Sequence, residues 1–285
     1  MTDVDAAVAF ERAEGRGTSN APRRRGRKKG WFLPTFAGLV IAYLFLPIAV
    51  MILYGFNDYA GKYNYAWQGF TLRHWGNLFD DPDLVTALQN SIIIAVVVTA
   101  LATILGTMIA LALTRYRFRG RGATNMFIFL PMATPEIVMG ASLLTLFVTF
   151  GVPLGFGTIL IAHVMFCISF VVVTVKARTQ GFNAEWEEAA KDLGATPWVT
   201  FWTVTFPLIL PGIAAAAALA FALSIDDYVV STFNAGKTVT FPLWVYGASR
   251  QGVPATVNVM GTIIFLVGVG LALLNVWFQR RREVA

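Results

Sequence analysis

Four stretches of this 285-residue chain are almost free of charge, and each is long enough to cross a lipid bilayer. Leu84 to Thr114, Leu193 to Ile225 and Gln251 to Gln279 contain no Asp, Glu, Lys or Arg, and Gly122 to Val175 contains only Glu136. A helical crossing needs roughly 20 apolar residues. Since 56% of the residues are hydrophobic as well, the sequence predicts an integral membrane protein.

The apolar runs predict an all-α, multi-pass fold with six transmembrane helices. These spans are expected at about 31–56, 88–113, 123–150, 158–175, 202–224 and 256–278. The first run is too long for a signal-peptide core and has no cleavage site after it, so we expect it to remain as a span. Residues 1–30 are polar and rich in Arg and Gly, which predicts a disordered basic tail, and residues 280–285 form a second basic tail around the membrane domain 31–279.

Small residues recur every four positions in two of these spans. One set is Ala102, Gly106 and Ala110, and the other is Ala214, Ala218 and Ala222. Stripes of this kind let helices approach closely, so they predict packing faces for neighbouring or partner helices.

The positions of Lys and Arg predict the orientation in the membrane. Eighteen of the 22 fall in the N-terminal tail, the C-terminal tail and the two loops that would share their side. Because basic residues near spans are retained in the cytoplasm, both termini are expected on the cytoplasmic side. The run Arg23 to Lys29 directly precedes a span, which favours contact with anionic lipid over nucleic-acid binding.

A charged stretch, "EWEEAAKDLGATPWVT" from Glu185 to Thr200, interrupts the apolar sequence on the cytoplasmic side. Asn183 is a good helix N-cap, and the acids after it suit the positive end of the helix dipole. Gly194 offers the left-handed residue that ends a helix. Thr196 can cap a second helix that starts at Pro197. The stretch therefore predicts a helix, a tight turn and a second helix.

The first of these helices has an apolar stripe and an opposite polar side. The stripe comprises Trp186, Ala189, Ala190 and Leu193, and the polar side comprises Glu187, Glu188 and Lys191. So short a helix is marginal by itself in water, which predicts that it packs on another protein. Four acids against one Lys disfavour a DNA-binding helix-turn-helix, whereas a plain connecting loop remains an alternative.

The spacing of particular residues in this stretch resembles the EAA loop of bacterial ABC-importer permeases. The match consists of Glu188, Ala189, Ala190, then Gly194, then Val204, Phe206 and Pro207. Val204 and Phe206 stand where Ile and Leu are usual, and both remain apolar. The resemblance implies the type I ABC-importer permease fold, with a coupling loop at 183–207. It also implies that Glu188, Ala189, Ala190 and Gly194 couple the spans to a separate ATPase.

The same resemblance implies an assembly. Its partners would be a second homologous permease subunit, two ATP-binding cassette ATPase subunits and an extracytoplasmic substrate-binding protein. The chain has no Gly-x-x-x-x-Gly-Lys-[Ser/Thr] loop, so ATP and Mg²⁺ are expected on the ATPase, with no catalytic residue, metal or cofactor on this chain.

The single cysteine, Cys167, is expected to be a small buried residue, and His163 to make a polar contact between helices.

Four residues are candidates for the substrate pathway. Glu136 lies inside the predicted third span, near Pro131 and Pro135, and an ionisable group in a membrane is costly enough to suggest function. Asp226, Asp227 and Tyr228 follow the fifth span, where acids and an aromatic face would favour a cation. The alternatives are that Glu136 pairs with a partner helix and that the two aspartates are exposed loop acids.

Three segments extend the resemblance to spermidine/putrescine permeases: "PEIVMGASLLTLF", "EAAKDLGA" and "LSIDDYVVSTFNAG". This resemblance implies a polyamine importer, and acids along the route fit a polycationic cargo. Related permeases for iron, thiamine or other small solutes share the EAA loop and remain alternatives. A secondary transporter, which would work without ATP, is an alternative of a different class.

Overall fold

The computed structural model describes residues 31–59, 64, 66–181, 185–252 and 254–284, and within these residues the regular elements are helices. In chain order they are α1 (Phe32–Tyr54), α2 (Arg73–Gly76), α3 (Pro82–Arg115), α4 (Arg121–Ala133), α5 (Glu136–Thr149), α6 (Phe156–Gln180), α7 (Glu185–Asp192), α8 (Pro197–Thr200), α9 (Phe206–Ile225), α10 (Val229–Asn234), α11 (Phe241–Gln251) and α12 (Ala255–Val284). A π-helical turn, Phe201–Thr205, joins α8 to α9. The predicted tail at 1–30 and the predicted cap Asn183 lie outside the described residues.

The chain forms two compact units, the first ending at Val50 and the second starting at Met51. The described part of the first is the N-terminal portion of α1, a continuous apolar helix that contains Pro47. The second unit holds the remaining helices and every residue of the sites described below. The backbone of α12 continues to Val284, through most of the predicted C-terminal tail.

Four described helices are long and apolar enough to cross a membrane, in agreement with four predicted spans. They are α1, α3, α6 and the run Pro197–Ile225, which combines α8, the π turn and α9. The pair α4 and α5 makes a fifth if it is counted as one span. The predicted sixth span lies in α12, whose described apolar part, Ala255–Gly270, is shorter than a full crossing. The count of six therefore remains a prediction.

The predicted third span is not one continuous helix. α4 and α5 are bent by 107° at Thr134 and Pro135, which both adopt extended backbone angles. Proline disfavours the helical conformation of the residue before it and cannot donate a backbone hydrogen bond, so a break at this position follows from the sequence. As a consequence, Glu136 is the first residue of α5 instead of a mid-helix residue.

The core of the second unit forms where α3, α6 and α9 pack together. Ala102, Gly106 and Ala110 are all buried, which confirms the predicted packing face of α3. At Gly106 a Cβ atom would lie 2.6 Å from Cγ1 of Val171 in α6, so the two helices can approach this closely only at a glycine. Cys167 in α6 is fully buried, as predicted.

The small-residue face of α9 differs from the prediction. Its buried residues include Gly212, Ala216, Ala220 and Ser224, whereas Ala214, Ala218 and Ala222 are exposed. The predicted stripe is therefore not a packing face within the described part of this chain, and its packing against a partner helix stays a prediction. The segment 214–218 consists entirely of alanine, so the spacing of small residues could not distinguish one side of this helix from another.

Candidate functional site

The turn after α7 closes as the sequence predicts. Gly194 adopts a φ of +84°, the left-handed conformation that glycine favours. The N–H of Gly194 donates to the carbonyl of Lys191 at 2.8 Å, and the N–H of Ala195 donates to that of Ala190 at 3.0 Å. These two bonds form a Schellman motif, which satisfies carbonyls that the helix end would leave unpaired.

The second helix of the loop starts as predicted but does not end within the loop. Thr196 accepts a hydrogen bond from the N–H of Val199 at 3.4 Å, and Pro197 occupies the first helical position. From there the chain continues through the π turn into α9, so one helical run extends from Pro197 to Ile225. The loop is therefore joined to an apolar helix of membrane-spanning length without an intervening non-helical segment.

The apolar stripe of α7 faces away from the described part of this chain. Trp186 is 56% exposed and Leu193 is 90% exposed, and Ala189 is also exposed while Ala190 is half-buried. An amphipathic helix normally turns its apolar side towards the core of its own protein. Here the residue that turns inward is Glu187, whose side chain is 19% exposed. The exposed stripe is thus an unpartnered apolar surface, as an interaction with another protein requires.

Glu187 is bound by two side chains that the sequence did not connect with it. The guanidinium of Arg115, at the end of α3, forms an ion pair with Glu187 Oε1, and the hydroxyl of Thr205, in the π turn, donates to the same oxygen at 2.5 Å. The neighbouring Glu188 is exposed and forms no hydrogen bond or ion pair with the described residues. In the sequence, Arg115 is only one of the basic residues that predict the orientation. No local pattern connects Arg115 with Glu187, which lies 72 positions later.

The two aspartates after α9 have different surroundings. The side chain of Asp227 is only 6% exposed and is hydrogen-bonded to Nε2 of His163 at 3.1 Å. It also accepts from the N–H of Ser231 at 2.7 Å and from the N–H of Val230 at 3.3 Å, at the start of α10. Asp227 is therefore not an exposed loop acid, and its carboxylate is already occupied by groups of this chain. Asp226, by contrast, is exposed.

His163 connects three elements around Asp227. It is 1% exposed in α6, and its Nδ1 lies 2.9 Å from Oγ of Ser224 in α9, while its Nε2 lies 3.0 Å from Oγ of Ser231 in α10. An ionised carboxylate can only accept, so Nε2 is the donor towards Asp227, whereas the hydroxyl of Ser224 can either donate to Nδ1 or accept from it. The predicted polar contact of His163 between helices is confirmed, with partners that the sequence did not identify.

Asp226 and Tyr228 line one cavity of about 390 Å³. Tyr246 of α11 lines it too, with its ring centroid 4.6 Å from that of Tyr228. The guanidinium of Arg250 lies 4.7 Å from the centroid of Tyr246 and donates to its hydroxyl at 2.5 Å. Glu136 is exposed at the start of α5 and is not part of the lining of this cavity. Tyr246 could not be recognised from the sequence, because it lies 18 residues after Tyr228 in a separate helix.

The structure thus places two of the four predicted pathway residues, Asp226 and Tyr228, in the lining of one cavity, whereas Asp227 is buried against His163. A carboxylate beside aromatic faces is a suitable environment for an ammonium group, because both attract positive charge. In the described residues, no group of three or more His, Cys, Asp or Glu side chains is placed to hold a metal ion.

The fold is similar to that of solved ABC transporters. One chain of a bacterial ABC transporter involved in the import of the acidic polysaccharide alginate matches with a TM-score of 0.66 and 15% identity, over 88% of this chain and 96% of that one. A chain of the MetNI methionine ABC transporter in an inward-facing conformation matches with a TM-score of 0.58 and 16% identity, over 70% and 95% of the two chains. These matches show that the chain has the same fold as those transporter chains.

Curated relatives give a more specific result. The spermidine/putrescine transport system permease protein PotC of Escherichia coli (strain K12) is 39% identical over 241 residues, which covers 84% of this chain and 90% of PotC. The putrescine transport system permease protein PotI of the same strain is 36% identical over 252 residues, which covers 86% and 89%. Residues 102–284 match the family described as binding-protein-dependent transport system inner membrane component. The chain belongs to this family of membrane permeases, as the EAA-loop resemblance predicted.

Proposed function

We propose that this chain is a permease subunit of an ATP-driven importer for polyamines such as spermidine and putrescine. The observation that carries the cargo assignment is the hollow in which the exposed carboxylate of Asp226 lies beside the rings of Tyr228 and Tyr246. A polyamine is a flexible chain of ammonium groups joined by methylene segments. Aromatic faces suit both parts of such a molecule, and the carboxylate selects for positive charge. The names of the relatives, PotC and PotI, support the same cargo.

In this proposal the four pathway residues have two roles. Asp226 and Tyr228 contact the cargo directly, and Glu136 adds negative charge on the neighbouring helix α5. Asp227 acts indirectly, because its carboxylate is held by His163 and by the first N–H groups of α10. It shapes the cavity by fixing where α10 begins, immediately after Tyr228.

The exposed stripe of α7 provides the coupling surface. Trp186, Ala189 and Leu193 would dock in a cleft of a separate ATPase subunit, with Glu188 and Ala190 at the edge of the contact and Gly194 fixing the turn. ATP and Mg²⁺ would bind that ATPase and not this chain. ATP-driven closure of two ATPase subunits would move α7 and, through the continuous run Pro197–Ile225, a membrane span.

The complete importer would contain a second related permease, two ATPase subunits and an extracytoplasmic binding protein, and it would involve no nucleic acid. A solved structural neighbour is described as an alginate ABC transporter in complex with a periplasmic protein, which is consistent with such a partner. We place the chain in the bacterial inner membrane, in contact with lipid, with six spans and both termini in the cytoplasm. This orientation puts α7 on the side where ATP is available.

The test is ATP-dependent uptake of radiolabelled spermidine and putrescine by vesicles that contain the whole importer. We expect uptake that requires ATP and the binding protein and that each unlabelled polyamine competes for. Asp226→Asn is expected to raise the half-saturating concentration about tenfold, since it removes one charged contact. Asp80→Asn, an exposed aspartate that does not line the cavity, is the matched control and should leave uptake unchanged.

Two results would contradict this proposal in different ways. ATP-dependent transport of iron, thiamine or another small solute, without competition by polyamines, would keep the importer and reject the cargo. Polyamine uptake that continues without ATP would indicate a secondary transporter and reject the mechanism.

A further inference from the structure

Three side chains that are distant in sequence meet beneath the exposed stripe of α7. Nη2 of Arg115 forms the ion pair with Glu187 and lies 3.1 Å from the hydroxyl oxygen of Thr205, which itself donates to Glu187. Arg115 and Glu187 are 72 positions apart, and Arg115 and Thr205 are 90 apart. We refer to Arg115, Glu187 and Thr205 as the loop triad.

The loop triad joins the loop helix to two different spans. Arg115 is the last residue of α3, where a cation also interacts favourably with the negative end of the helix dipole. Thr205 is the last residue of the π turn and directly precedes α9. Since α3 and α9 pack against each other in the core, a movement of Glu187 acts on both at the cytoplasmic end of their interface.

Among the described residues, the helix packing of α7 leads into one of these two spans. α7 packs on α8 and on the π turn, which lead into α9, so α9 would follow α7 through the continuous helix. α3 has no such covalent continuity with α7. The ion pair of Arg115 with Glu187 supplies this second connection.

We infer that Arg115 is a positioning residue that transmits the movement of α7 to α3, so that α3 and α9 move together when the ATPase closes. This inference rests on the proposed function, because it assumes that α7 docks on an ATPase. Thr205 holds the shared oxygen of Glu187 between the two spans. Glu188, which is exposed beside Glu187, has no part in this connection.

A purely structural role can be separated from transmission. The side chains of Arg115 and Glu187 are 31% and 19% exposed, and partly exposed ion pairs contribute little to folding stability. Variants of this pair are therefore expected to fold and to assemble. Their defect should appear in the ratio of cargo transported to ATP hydrolysed, which a stability change alone would not alter.

The experiment uses the whole importer in vesicles, with Arg115→Glu, Glu187→Arg and the double variant that exchanges the two charges. Uptake of radiolabelled spermidine and ATP hydrolysis are measured on the same preparation. Each single variant is expected to lower the uptake per ATP about tenfold, a normal size for coupling between sites. The double variant restores the ion pair with opposite polarity and is expected to recover most of that loss.

Two further variants act as controls. Arg117→Glu makes the same charge change at an exposed residue that forms no ion pair with the described residues, and it should leave the ratio unchanged. Arg115→Lys keeps the charge but not the two-armed donor geometry, and it should retain most of the coupling. Co-purification of the ATPase with each variant shows that the importer has assembled.

The inference is overturned if Arg115→Glu keeps the wild-type ratio, or if the exchanged double variant is as defective as the worse single variant while the importer assembles. If Arg115→Glu prevents assembly, Glu187→Gln and Thr205→Val decide: wild-type ratios in both also overturn it. The wild-type arm tests the proposed function separately, because an importer without ATP-dependent spermidine uptake rejects the cargo or mechanism whatever the variants do.

Discussion

Two pairs of adjacent acids, Glu187 with Glu188 and Asp226 with Asp227, are divided in the same way in very different surroundings. In each pair one carboxylate is bound by this chain and the other is exposed. The bound acid of the loop, Glu187, is partly exposed and pairs with a guanidinium. The bound acid after α9, Asp227, is almost fully buried and pairs with His163. Adjacent residues of the same type thus have separate roles. The more deeply the bound acid is buried, the more its removal should lower the free energy of unfolding.

The largest expected effect on stability comes from removing the buried acid, Asp227. Asp227→Ala would leave two N–H groups of α10 without an acceptor and would remove the carboxylate bonded to Nε2 of His163, so we expect the free energy of unfolding to fall by about 3 kcal/mol. Thermal unfolding of the purified importer measures this. Asp226→Ala, at the exposed neighbour, should change it by less than about 0.5 kcal/mol. Equal losses for the two variants would remove the distinction between them.

The exposed side of the loop should matter for binding and not for folding. Trp186→Ala removes a large exposed apolar side chain, and we expect it to weaken association with the ATPase by about 2 kcal/mol, as truncation of an interface aromatic typically does. The unfolding temperature should stay the same. Lys191→Ala, on the opposite side of α7, is the control in a titration of the permease with ATPase. If both variants weaken binding equally, the stripe is not the docking face.

The turn should show a smaller effect. Gly194→Ala places a side chain at a φ of +84°, where space is free but the backbone conformation is strained, so we expect a loss of about 1 kcal/mol. Gly181→Ala is the matched control, because Gly181 has a φ of −84° and room for a Cβ atom. Hydrogen exchange at α7 compares the two. Faster exchange in the Gly181 variant would contradict the assignment of strain to the turn.

The smallest expected effect on stability comes from the bound acid of the loop. Glu187→Gln removes a partly exposed ion pair and should lower the free energy of unfolding by about 0.5 kcal/mol. Thermal unfolding checks this beside Asp227→Ala. A loss as large as that of Asp227→Ala would mean that the loop triad stabilises the fold, and that burial does not separate the two acid pairs.

Local signals in the sequence were enough to predict the turn after α7 and the start of the helix that follows it. The left-handed Gly194, the cap at Thr196 and the start at Pro197 each depend on residues within four positions, and all three are found in the structure. The break of the third span could also have been read from Pro135, because a proline restricts the residue before it. Its sharpness of 107° depends on how the two halves pack, which no local pattern encodes.

The partners of the acids could not be predicted in the same way. His163 and Asp227 are 64 positions apart, and they meet only because α6 and α9 pack against each other. The alanine run of α9 offers several small-residue faces, so the sequence left the rotation of that helix undetermined. Because the rotation of α9 is not known from the sequence, the sequence cannot show which of the two adjacent aspartates is buried and which is exposed.

The π turn has a geometric consequence for the run Pro197–Ile225. The N–H of Phe206 bonds to the carbonyl of Phe201, five residues back, so this turn contains one residue more than an α-helical turn. An extra residue rotates everything beyond it by about 100° around the axis relative to an uninterrupted α-helix. The side chains of α8 and those of α9 are therefore turned relative to each other around the run, compared with an uninterrupted α-helix. Residues that a regular α-helical repeat would place on one face of the run lie on different faces.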